Sequence, residues 1–266
     1  MSVYVEYTSA VAVVRPHGGH DGHSVAGLRT AVYECLADQP VGIVVDAADL
    51  STLDGEAIEV IAEAARQSER WPGAQFALAH ASPVLLSYAD RLGALGSVMV
   101  YPDVSTARSE LGKLPVPPRF QLRISPDRSA PYRARTAVQD FCMRHAPAMY
   151  TECEHAQLVA SELITNAVMH ADTPMVLTLR LLPDALSIAV RDGDLRPARM
   201  TDIANESSER GRGLLLVDAF ADSWGNFFPS SGKVVWAKVR LPSTDRHRQP
   251  TAQPANVARD ERPSLE

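Results

Sequence analysis

The sequence predicts an α/β protein of two folding units, an N-terminal α/β layer structure and a C-terminal two-layer α/β sandwich. Three observations carry this prediction. Strand-like and helix-like patterns alternate through residues 1–112. Three prolines crowd the seam "GKLPVPPRF" (Gly112–Phe120), where neither a helix interior nor a central strand can continue. Beyond the seam, helical patterns come first and a mostly antiparallel set of strands follows. The units are drawn at 1–112 and 119–241, joined by a linker at 113–118. The last stretch, 242–266, is rich in proline and charge and poor in large apolar groups, so disorder is expected there.

In the first unit, "VYVEY" and "AVAVVR" read as two short strands joined at Thr8-Ser9. "SVAGLRTAVYECLADQ" is helical, with Ser24 a candidate cap. "VGIVVDAADL" is a buried strand leaving through Asp46 and Asp49. "DGEAIEVIAEAARQSER" sets Ile58, Ile61, Ala62 and Ala65 on one helical side. "AQFALAHA" is a strand, "PVLLSYADRLG" a helix opened by proline, "SVMVY" a last strand and 104–111 a closing helix.

The second unit opens with strand "RFQLRIS" and helix "SAPYRARTAVQDFCMRHA", with Ser129 near its cap and Pro131 in its first turn. A helix over about 152–171 follows, then "PMVLTLRLLPDALSIAVRDGD", two strands turning at Pro183-Asp184. An irregular polar run, Leu195 to Arg210, precedes "GRGLLLVDAFADSWGN", and "GKVVWAKVRL" is a final strand.

Composition excludes several classes. Hydrophobic residues at 45% and charged residues at 22% are globular values. No stretch reaches 18 uncharged apolar residues, and the start lacks a basic region followed by a long apolar one, so no membrane span or secretion is expected. Cys35, Cys142 and Cys153 show neither paired nor CxxC spacing, from which a reduced, cytoplasmic setting without disulfides is expected. The net charge of −6 lies mostly in residues 1–114, with 7 basic and 14 acidic residues. Residues 115–240 hold 15 basic and 14 acidic residues, too balanced to neutralise many phosphates, so direct nucleic-acid binding is not expected.

Three polar features recur in the second unit. In "ELITNAVMHA", Glu162, Asn166 and His170 step by four and form one slanting row opposite an apolar stripe. Such a row is a solvated face or a reactive one: an Asn amide can ligate Mg²⁺ and a Glu can accept a proton. No second His or Cys completes a metal set around His170. In "AVRDGD", Asp192 leaves an apolar strand beside Gly193, as a turn or as an acceptor for a ligand amine. In "ERGRGLLLV", Gly211 and Gly213 permit close backbone approach ahead of a helix whose N–H groups suit an anion. Arg212 between them is a phosphate donor or a solvated side chain.

Taken in order, ELITNAVMHA, VRDGD and GRGLLLVDAFADSWG closely resemble the Bergerat-fold (histidine-kinase-like) ATPases, specifically the anti-sigma-factor serine kinase branch, over about residues 119–240. The resemblance implies Asn166 as ligand of Mg²⁺ bound to ATP, Glu162 as general base, and Asp192 as acceptor from the adenine amino group with Gly193 sharing its turn. It implies Gly211, Arg212 and Gly213 as the glycine box near the phosphates. The implied chemistry is phosphoryl transfer to a serine of a separate STAS-type anti-sigma-factor antagonist, with a sigma factor as a second partner and a homodimer as the assembly. The alternative is a non-catalytic, ATP-responsive interaction module. Simple ATP hydrolysis is less favoured, since this branch lacks the larger ATPases' extra domains. Two departures stand out: the first glycine box is cut to Asp192-Gly193-Asp194, and Val234 stands where relatives carry a threonine near adenine.

Residues 1–112 resemble, more weakly, a STAS domain whose phosphorylated serine begins a helix after an Asp. Asp54 fits that Asp, but Gly55 stands in the serine position and has no hydroxyl; Ser51 and Thr52 lie upstream of it. Glu56 places one fixed negative charge at the helix start, as a phosphate mimic or an ordinary N-terminal acid. His17, His20 and His23 in "HGGHDGH" form a glycine-rich loop for which metal binding is the lesser reading.

Overall fold

The computed structural model describes residues 2–8, 10–17, 22–50, 55–71, 73–91, 93, 96, 98–196 and 213–241. The first sheet has the spatial order β1 (Ser2–Thr8), β2 (Val11–His17), β3 (Gly42–Asp46), β4 (Gln75–Ala79) and β5 (Val98–Tyr101). β1 pairs antiparallel with β2, and every later pair is parallel. Parallel strands need cover on both faces, and period-two alternation supplies it. Ala12, Val14, Ile43 and Val45 point to α1 (Gly22–Asp38), α2 (Gly55–Arg70) and α3 (Pro83–Arg91). Val11, Val13 and Val44 point the other way, to α4 (Val104–Gly112). Asp103 caps α4, accepting the Thr106 N–H at 2.7 Å.

The second sheet is antiparallel throughout, in the order β6 (Arg119–Ile124), β7 (Met175–Leu181), β8 (Ala185–Asp192), β10 (Lys233–Arg240) and β9 (Ser223–Phe227). One face packs on α5 (Ala130–His145), α6 (Tyr150–His170) and α7 (Gly213–Phe220), where Leu163, Ile164, Leu177, Ile188, Val190 and Val235 share a core. Asp127 accepts the Ser129 N–H at 2.8 Å just ahead of α5, while the Ser129 side chain makes no capping bond. β9 is a strand that the apolar pattern does not announce, because four of its five residues are only half-buried.

The opposite face of that sheet is covered by the first unit. Ala189, Val234, Trp236 and Phe227 belong to the same apolar cluster as α1 and α2. The two helices are therefore filling between two sheets. Trp71, one residue past α2, lies nearly parallel to Trp236 with centroids 6.1 Å apart and tilts against Phe227 at 5.3 Å.

Cys142 and Cys153 correct the expectation of a chain without disulfides. The end of α5 and the start of α6 bring their Cα atoms to 6.2 Å, and the two are bonded, leaving Cys35 as a buried free thiol. Spacing alone hides the pair, since the antiparallel hairpin of helices creates the contact. No helix among the described residues is long and apolar enough to cross a membrane. The stretch 242–266 lies outside the described residues.

Candidate functional site

α6 carries the polar row on the side away from the sheet. Val159, Leu163, Ile164 and Ala167 are buried, Glu162 and Asn166 are half-buried, and His170 is exposed. From Glu162 to His170 the helix advances about 12 Å at 1.5 Å per residue. Each end of this strip meets a different glycine-containing segment.

At the first end stands Gly213, the opening residue of α7. A Cβ there would come within 2.8 Å of Glu162 Oε2, so any other residue at this helix start would make the carboxylate shift. Burial pushes the Glu162 carboxyl above its ordinary pKa, and Arg135 offsets part of that. The carboxylate is thus a better proton acceptor than a freely solvated one.

At the other end Asp192 leaves β8 and is 3% exposed. Its Oδ1 accepts the Asp194 N–H at 2.8 Å and faces Lys233 Nζ at 3.3 Å. Its Oδ2 is buried and has no hydrogen-bond partner. Burial raises the Asp192 pKa against the pull of the Asp194 N–H and Lys233. Lys233 is 1% exposed and also reaches Asp194 Oδ2 at 3.1 Å. The Gly193 N–H donates to Thr173 Oγ1 at 2.9 Å, and Arg196 donates to the His170 carbonyl at 2.6 Å. These two bonds pin the Asp192 turn to the C-terminal end of α6. Gly232 has φ of 87°, and a Cβ on it would lie 1.8 Å from the Asp192 carbonyl oxygen, so both conformation and space require glycine.

The structure therefore brings Glu162, Asn166, Asp192, Gly193 and Gly213 around one helix flank. Gly211 and Arg212 lie outside the described residues. Val234 is a correction: its side chain joins the core with α1 and α2, while Val235 faces α6. A hydroxyl at position 234 would not border the Asp192 pocket. Lys233, Thr173 and Gly232 were missed by the sequence reading. Lys233 left a signal, because it shares strand parity with the inward-facing Val235, Ala237 and Val239. A separate cleft of about 550 Å³ opens at the domain seam, lined by Arg70, Trp224, Trp236 and Lys238 among others; none of the residues of the α6 flank lines it.

In the first unit, Gly55 opens α2, and a Cβ there would stand 2.9 Å from the Tyr88 hydroxyl. Glu56 is exposed in the first turn. Ser51, Thr52 and Asp54 lie outside the described residues. His17 Nδ1 sits 2.8 Å from Asp49 Oδ2. His20 and the His23 side chain are outside the described residues, among which no cluster of three metal-ligating side chains occurs.

Residues 124–238 match the histidine kinase-like ATPase domain family, and residues 3–107 match the STAS domain family. The chain joins a STAS domain to a histidine kinase-like ATPase domain. No curated protein matches it. Among solved structures, a substituted RsbS of Moorella thermoacetica is 20% identical, with 41% of this chain and 94% of that one covered and a TM-score of 0.38. An anti-sigma factor antagonist from Mycobacterium paratuberculosis is 20% identical over 42% and 94% of the two chains, at a TM-score of 0.35. The unphosphorylated anti-sigma factor antagonist SpoIIAA is 18% identical over 42% and 100%, at 0.36. Within the chain, the site just described belongs wholly to the ATPase domain, and the STAS domain covers the far side of its sheet.

Proposed function

We propose that the protein binds Mg-ATP along the α6 flank and transfers the γ-phosphoryl group to a serine of a separate STAS antagonist. The observation that carries this reading is the unpartnered, buried Oδ2 of Asp192. An acceptor left unmade in such a place costs about 1–3 kcal/mol. The adenine amino group is a donor of the right kind, and the Asp194 N–H and Lys233 already hold the other oxygen.

The remaining residues take roles by position. Asn166 would hold Mg²⁺ through its amide oxygen, and the metal, when present, neutralises phosphate charge. Gly213 and the first N–H groups of α7 would border the phosphates, and Gly211 and Arg212 are assigned to the same role from the glycine motif alone. Glu162 accepts the proton of the attacking seryl hydroxyl as the O–P bond forms and ADP leaves, and its raised pKa suits that task.

The protein's own STAS domain is not the substrate at position 55, which has no hydroxyl. That end of α2 is about 24 Å from Trp71, counted along the helix, so it stays clear of the Trp71 contact and can meet a partner without being consumed. Sigma-factor retention in a nucleotide-dependent manner is the regulatory output.

Incubation with labelled ATP, Mg²⁺ and the STAS proteins encoded in the same genome tests the proposal. Phosphoserine is expected on one of them. Glu162→Ala is expected to bind ATP without transfer, and Asn166→Ala to lose Mg²⁺-dependent binding. ATP binding with transfer to no antagonist would leave a nucleotide-responsive interaction module, and absence of ATP binding would defeat both.

A further inference from the structure

We infer that Glu34, in the STAS domain, is a positioning residue for the adenine end of the site in the other domain. This rests on the reading of Asp192 given above. Glu34 lies on α1, and both of its oxygens are spent across the seam. Oε2 accepts from Arg191 Nη2 at 2.8 Å, while Oε1 accepts the Ser230 N–H at 2.8 Å and the Ser230 hydroxyl. Arg191 Nη2 also donates to Ser231 Oγ at 3.1 Å.

One carboxylate thus ties together two segments that both lead into the adenine end. Arg191 immediately precedes Asp192 on β8, and side chains alternate along a strand, so it points to the STAS domain while Asp192 points to the helices. Ser230 and Ser231 lead into Gly232, where a Cβ would fall 1.8 Å from the Asp192 carbonyl oxygen, and then into Lys233, which bridges Asp192 and Asp194. Glu34 therefore acts through the backbone, from the opposite face of the sheet, on the residues that set the direction of Asp192 Oδ2. A pocket held in register binds without paying to order itself first. Docking of α1 and adenine affinity are then linked, and the link runs both ways. A partner that draws α1 off the sheet weakens nucleotide binding, and bound nucleotide resists that partner.

Calorimetric titration of the full chain with ATP and with inosine triphosphate, which lacks the 6-amino group, reads this directly. Wild type is expected to prefer ATP. Glu34→Ala is expected to weaken ATP roughly tenfold, about the worth of a charge-assisted hydrogen bond, with little change for inosine triphosphate, so that the preference collapses. Glu34→Gln keeps one acceptor and should fall between. If Glu34→Ala does not fold, Glu34→Gln and Ser230→Ala carry the same comparison. Unchanged ATP affinity in the variants, with binding intact in wild type, overturns the inference and leaves the nucleotide reading standing. An equal loss for both nucleotides also overturns it, since the effect would then not be at the adenine end. No ATP binding by wild type removes the nucleotide reading and this inference together.

Discussion

Trp71 donates its indole N–H to Ser187 Oγ at 2.8 Å across the domain seam, with 0% and 1% of the two residues exposed. The bond joins a residue just past α2 to the outer face of β8, in the same patch where Trp71 stacks on Trp236. A hydroxyl on a sheet face is unremarkable in water. Here it is sealed under an indole, so the seam has the character of a domain core.

Trp71→Ala should therefore separate the two domains in unfolding. Loss of a buried aromatic in a core costs about 3–5 kcal/mol. Wild type is expected to unfold in one cooperative transition and the variant in two, followed in urea by far-UV circular dichroism and calorimetry. Trp71→Phe keeps most of the area but strands the Ser187 hydroxyl, for a loss of about 1–3 kcal/mol. A single, unshifted transition in Trp71→Ala would show that the seam contributes nothing.

Asp192→Asn should invert base preference. The variant presents an amide N–H₂ or a neutral oxygen where a carboxylate oxygen now stands unpaired. ATP affinity should fall at least about tenfold, and inosine triphosphate, with an acceptor in place of the amino group, should bind relatively better. Lys233 keeps Asp194 at 3.1 Å, so the fold should survive. Lys233→Met is the harsher change: it strips the cation from two sheltered carboxyl groups, and breaking a buried pair costs about 3–5 kcal/mol. Denaturation and titration together check both variants.

The fold was legible where periodicity is clean. "GIVVD" and "MVLTLRL" are strands with buried faces, and the stripe Val159, Leu163, Ile164 and Ala167 does lie on the sheet. Local patterning failed where a contact joins distant segments. Cys142 and Cys153 meet only because two helices fold back on each other. Trp71 and Trp236 look scattered in sequence, yet they are the centre of the seam. Of the site, the motif residues on and beside α6 were readable as short patterns. Thr173, Lys233 and Glu34 were not, since each earns its place through a partner far along the chain. Val234 shares strand parity with Trp236 and so faces α1 and α2, whatever residue relatives carry there.

Restoring a hydroxyl at position 55 should not restore a substrate in cis. In Gly55→Ser the new Cβ stands 2.9 Å from the Tyr88 hydroxyl, which must move. A crowded contact of this kind costs about 1 kcal/mol, and Gly55→Ser/Tyr88→Phe should regain it in thermal unfolding. Intact mass after incubation with Mg²⁺ and ATP should stay unchanged for both variants. A gain of one phosphate would mean that the STAS domain can reach a kinase site after all.

Glu162 should impose an acid limb on transfer and a pH dependence of opposite sign on stability. Burial raises its folded pKa above 4.5, the ordinary value. Transfer needs the ionised form, so the rate should fall as pH drops through that raised value, at a higher pH than a solvated glutamate would give. For stability the sign is opposite. Between the unfolded and the raised folded pKa the folded chain binds more protons, so the contribution of Glu162 is present at low pH and lost as pH rises through the folded value. Glu162→Gln cannot ionise and should flatten that decline while abolishing transfer. Gly213→Ala is the steric counterpart: its methyl would stand 2.8 Å from Oε2 and push the carboxylate aside. Its transfer rate should fall by as much as the displaced carboxylate loses its aim at the seryl hydroxyl, measured by phosphoserine formation beside titration. A Glu162→Gln protein that transfers at the wild-type rate would remove Glu162 from the role of base.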